Sequence, residues 1–137
     1  MFKYYLLLPN FIQMQIILIG IGGFLGAISR FLVQKFVNNY MTTFPMGTLV
    51  VNVLGSFLLG FILYSISYDR HLTINIRDLV AIGFLGSFTT MSAFSHETML
   101  LFDTGHILYA ILNVLLNVLL CLAAVYLGRQ LGLLVSA

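Results

Sequence analysis

Charge is nearly absent from this chain. Only six Lys or Arg and four Asp or Glu occur in 137 residues, so 7% of the sequence is charged while 61% is hydrophobic. Soluble domains carry about 25% charged residues. A chain this poor in charge reads as an integral membrane protein. Its net charge of +2 is too small for a nucleic-acid binder, and its length is too short for several domains. Cysteine is almost missing as well. A single Cys121 excludes an internal disulfide, and its surroundings, "NVLLCLAAVYLG", read as packing. There is no nucleophile–base set and no cluster of metal-ligating residues, which argues against an enzyme. The N-terminus "MFKYYLLLPNF" has no small-residue cleavage site. It reads as a lipid-facing or interfacial tail rather than a signal peptide.

What the chain does have is long apolar runs. A helix needs about 20 mostly apolar residues to cross the hydrocarbon core. Four segments meet this, over about residues 15–37, 46–67, 79–102 and 107–134. Four short runs cannot close a barrel, so the fold is all-α. Pro45 opens the second segment, where its missing N–H is not needed. Four crossings put both termini on one side, together with Lys3, Arg70, Arg77 and Arg129. Arg30 and Lys35 fall on the other. The positive-inside bias is weak. It fits either an antiparallel homodimer with dual topology or a single orientation with cytoplasmic termini.

Polar side chains form stripes inside these runs. Thr48, Asn52, Ser56 and Gly60 recur every four residues in the second segment, and Tyr109, Asn113 and Asn117 do so in the fourth. Each set shares one helical face. An unpartnered asparagine is costly in hydrocarbon, so both faces point into protein or water. Interhelical hydrogen bonding explains one such asparagine; three on two stripes favour a lined pathway. Gly22 with Gly26, and Gly128 with Gly132, have the small-xxx-small spacing of close helix packing.

The third segment, "GFLGSFTTMSAFSHETMLLF", is the least helix-like. Gly83 and Gly86 weaken a helix, and Thr89 and Thr90 can bond to nearby backbone. A kink and a full break both fit. A break would free carbonyls of the kind that hold cations at membrane depth. Glu97, beside His96 and near Phe102 and Asp103, reads as interfacial. Arg30 lies deep in its segment. It either snorkels or lines a water-filled vestibule that attracts anions.

The stretches "GGFLGAISR" (22–30), "FPMGTLVVNVLGSFLLG" (44–60) and "GFLGSFTTMSAFS" (83–95) resemble the three motifs of the small bacterial fluoride channels, the Fluc type. The match runs from about residue 15 to 130. The resemblance implies four transmembrane helices with the third broken, paired as an antiparallel homodimer with two pores. It implies passive, fluoride-selective export from the cytoplasm across the inner membrane. Fluoride, a second copy and the bilayer would be the partners. Matched residue by residue, Asn52 and Phe94 fall on pore positions. Thr48 and Ser92 join them, and Tyr109, Asn113 and Asn117 fall on the polar track of the fourth helix. Arg30 falls at the vestibule. Gly86 and Thr89 fall where backbone carbonyls hold a structural sodium ion that is not transported. Two positions depart from the usual pattern. Met91 stands where a second pore phenylalanine is expected, and Ala93 replaces a hydroxyl residue. Two other readings remain open at this point. A dual-topology, proton-coupled small-molecule exporter shares the size and weak charge bias, but it expects a carboxylate in an early crossing, and none is present. A non-transporting assembly subunit would use the asparagines only as glue.

Overall fold

The computed structural model describes residues 2–40, 44–65 and 75–136, with side chains from Ile12 onward. Every regular element among them is helical. Helix α1 is Phe2–Asn38 and α2 is Met46–Ser65. A π-helix, Arg77–Leu85, is followed by the single turn α3, Gly86–Phe88, and by α4, Met91–Asp103. Helix α5 is Ile107–Val135. Four stretches are long and apolar enough to cross a membrane: Ile12–Asn38, Met46–Ser65, Arg77–Asp103 and Ile107–Val135. Helix α1 begins well before residue 15, because the apolar run upstream continues it. The expected residues 66–67 of the second crossing and Arg70 lie outside the described residues, as do the side chains of the N-terminal tail.

Backbone-to-backbone contact at glycine holds the passes together. Helix α2 packs most extensively on α5, and α1 on the π-helix. A Cβ on Gly128 would overlap the Phe57 carbonyl, and one on Gly60 the Val125 carbonyl. On the other seam, a Cβ on Gly22 would overlap the Leu79 carbonyl, and one on Gly26 the Phe84 carbonyl. Both glycine pairs singled out in the sequence therefore sit at close crossings. The large side chains mostly face outward: Phe24, Leu108, Leu119, Leu122 and Leu134 are all exposed. Such a surface would be a liability in water; in lipid it is the solvated face.

The ends of the helices are closed locally. Asn38 Oδ1 accepts from the Gly47 N–H at 3.0 Å, which caps α2 from α1. Gly105 has φ +78°, a left-handed conformation that costs glycine little. This turn lets the His106 N–H reach the Leu101 carbonyl at 2.8 Å and sends α5 back across the membrane.

Inside the third pass the helical geometry stops. The Gly86 N–H still bonds to the Ala81 carbonyl, five residues back, as the π-helix does. Thr89 has φ −80° and ψ 156°, and Thr90 has φ −149° and ψ 116°. Both are extended. Helix resumes at Met91, with the Thr90 hydroxyl accepting from the Ala93 N–H at 3.2 Å as its N-cap.

Candidate functional site

Of the two extended residues, Thr89 still donates its N–H to the Leu85 carbonyl at 3.0 Å, while Thr90 is held by α2. Asn52 Oδ1 accepts from the Thr90 N–H at 2.8 Å, and its Nδ2 donates to the Thr90 carbonyl at 3.2 Å. One amide thus satisfies both backbone groups of the residue that left the helix. Gly55, three residues on, makes room for this: a Cβ there would run into the Thr89 methyl.

A hydrogen-bond chain continues from Asn52 into α5. Asn52 Nδ2 also donates to Asn117 Oδ1 at 3.0 Å. Asn117 Nδ2 donates to the Asn113 carbonyl at 3.0 Å and to Asn113 Oδ1 at 2.9 Å. Asn113 Nδ2 donates to Thr98 Oγ1 at 2.9 Å, and Thr98 donates to the Phe94 carbonyl at 2.7 Å. A primary amide has two N–H hydrogens. Asn52 and Asn117 have both engaged within the chain, and only Asn113 has one left. Sequence reasoning expected these amides to face a pathway. In the single chain they tie α2, α4 and α5 together, and Asn52 and Asn117 also line a surface groove.

The same break frees backbone carbonyls. In an unbroken helix the Thr90 N–H would bond to the Gly86 carbonyl, and the Ala93 N–H to the Thr89 carbonyl. Here they go to Asn52 Oδ1 and to the Thr90 hydroxyl. The carbonyls of Gly86 and Thr89 thereby lose their helical donors. Beside them lies a groove of about 460 Å³ on the surface of the chain. Asn52, Gly86, Thr89, Met91, Phe94 and Asn117 all line it, as does half-buried Cys121. Phe94 is buried, while Met91 is 72% exposed and stands clear of the chain.

The family model for CrcB-like protein, Camphor Resistance (CrcB), matches residues 17–129. The chain belongs to the CrcB family. Among curated relatives, the protein named Fluoride-specific ion channel FluC from Shewanella sp. (strain W3-18-1) is 46% identical over 118 residues, covering 85% of this chain and 94% of its own. The protein of the same name from Shewanella baltica (strain OS185) is 47% identical with the same coverage. With four membrane-crossing helices, this CrcB member is a multi-pass protein of the inner membrane.

Other expected site residues lie off the groove. Tyr109 is 39% exposed and meets Phe44 edge to face at 6.2 Å. Ser92 is exposed, with its Oγ 3.2 Å from the Thr90 hydroxyl. Arg30 is half-buried and makes no hydrogen bond or ion pair among the described residues. Thr48 is fully buried and donates to Glu97 Oε1 at 2.7 Å. The contact joins Glu97 to the first turn of α2. Its carboxyl is drawn in against α2, and Oε2 is buried with no partner among the described residues. Sequence reasoning also missed Thr98, which links α4 to Asn113. Its only local sign was its position one turn past Phe94.

Proposed function

We propose that this chain is a passive, fluoride-selective channel that lets the ion leave the cytoplasm, and not an enzyme. The observation that carries the reading is the identity of 46–47% to relatives named fluoride-specific ion channels, across 94% of their length. The site chemistry supports it. Fluoride is small and only accepts hydrogen bonds. The exposed hydroxyls of Ser92 and Tyr109 can donate to it. The edge of the Phe94 ring carries positive quadrupole charge. Asn52 holds the Thr90 turn beside Phe94 and so shapes the wall. Met91, in place of a second ring, offers a flexible thioether. Arg30, unpaired among the described residues, suits a vestibule that gathers anions.

The working unit in this proposal is an antiparallel homodimer with two pores. Polar backbone around Gly86 and Thr89 would otherwise lie on a groove facing lipid, which offers it no hydrogen bonds. A second copy laid against this groove covers it. The carbonyls freed at Gly86 and Thr89 fit a small hard cation, as unwound helices do elsewhere in membranes. Two copies would bring four such oxygens together around a structural sodium ion, which supplies positive charge between the pores.

Purified protein in liposomes, with a fluoride electrode outside, tests the function. Fluoride efflux without chloride efflux is expected, and no fluoride efflux would reject the channel. Sodium is tested separately. Dimer prepared without sodium should fall apart sooner on dilution than dimer in sodium buffer; equal lifetimes would remove the ion.

A further inference from the structure

Where α1 hands over to α2, Gly47 lets the two backbones meet. A Cβ on Gly47 would lie 3.0 Å from the Gln34 Cα. Gln34 therefore reaches the next residue, and its Nε2 donates to Thr48 Oγ1 at 2.9 Å. Thr48 in turn donates to Glu97 Oε1 at 2.7 Å. Three side chains from α1, α2 and α4 form one directed chain. It ends at Glu97 Oε2, which is buried and unpartnered among the described residues.

A hydroxyl has one proton and two lone pairs. Which neighbour receives the proton depends on what occupies the other side. Gln34 places an N–H against Thr48 Oγ1, so the Thr48 proton is turned toward Glu97. Without that N–H the hydroxyl is free to rotate, and Glu97 loses its fixed donor. Glu97 lies three residues past Phe94 on α4, a spacing that puts the two on neighbouring faces.

We propose that Gln34 is a positioning residue of the conduction path. It orients the Thr48 hydroxyl, and through it holds the Glu97 carboxyl with Oε2 as the open polar end of the chain. This rests on the reading of the protein as a channel with Thr48 in its pore.

Gln34→Leu and Gln34→Met remove the N–H at similar bulk; the second serves if the first does not assemble. Fluoride efflux per dimer is read in liposomes, after size-exclusion chromatography, in three backgrounds: Thr48, Thr48→Ser and Thr48→Val. A fall of about threefold to tenfold is expected with Thr48 or Ser, the scale of one neutral hydrogen bond. No further fall is expected with Val, where there is no hydroxyl to orient. If Thr48→Val conducts too slowly to read, the infrared carboxyl band of Glu97, assigned against Glu97→Gln, gives the same comparison. It should shift with Gln34 only when residue 48 has a hydroxyl. Unchanged flux in assembled Gln34 variants, or an equal fall or band shift in the Val background, would overturn the proposal while leaving the channel standing. A wild-type protein that passes no fluoride would end the channel reading and this role together.

Discussion

Asn52 carries two structural duties at once: it holds the backbone of Thr90 and it anchors Asn117. Asn52→Asp keeps the acceptor for the Thr90 N–H but removes both donors. It also sets negative charge against the Thr90 carbonyl and Asn117 Oδ1. The two lost hydrogen bonds are neutral, at about 0.5–1.5 kcal/mol each, and the carboxylate set against two oxygens adds repulsion. If that cost enters the permeation barrier, fluoride efflux falls at least about tenfold in dimers that still assemble. Phe94→Ile keeps bulk in the groove but removes the ring edge, so efflux should fall there too. Both are read as liposome flux per dimer after size-exclusion chromatography. Intact dimers of both variants with wild-type flux would place these residues outside the path. The two stripes were legible in the sequence, because a period of four on an apolar helix is a local signal. Their partners were not. Asn52 meets Thr90 across 38 residues, and Thr48 meets Glu97 across 49. No local pattern encodes which polar groups two helices will bring to the same depth. The contact of Glu97 with Thr48 was hidden for that reason: nothing around residue 97 in the sequence points to residue 48.

At the scale of elements, the glycine seams decide how near the helices approach. The Phe57 carbonyl lies where a Gly128 side chain would begin. A backbone atom cannot move aside without shifting its helix. Gly128→Val should therefore destabilise the α2–α5 pair by about 1–3 kcal/mol, the usual cost of overpacking. Gly20 offers a control on α1, since a Cβ there meets nothing within 4 Å. Gly20→Val should behave as wild type. Thermal melting in detergent, followed by size-exclusion chromatography, compares the two; equal melting temperatures would show that the seam tolerates a side chain. These seams were legible from small-xxx-small spacing, and the four crossings from apolar length. The π-helix was not legible. Its bonds to the fifth residue back leave no mark in the residue types of 77–85.

For the whole molecule, orientation is the open measurement. Lys and Arg are divided too evenly to fix one topology, which motivates the antiparallel pair. A C-terminal tag should be reachable from both sides of sealed membranes, in about equal shares. Reach from one side only would leave no antiparallel dimer. The break at Thr90 has a consequence for how such a molecule is made. A third pass alone in hydrocarbon has no Asn52 beside it, and its backbone polar groups must then bond within the segment. On this argument it would enter the bilayer as an unbroken helix. Only when α2 docks does the Asn52 amide offer Thr90 a better bargain than its own helix. The break would then be made during assembly rather than at insertion. Biogenesis has two stages, and the site takes shape in the second.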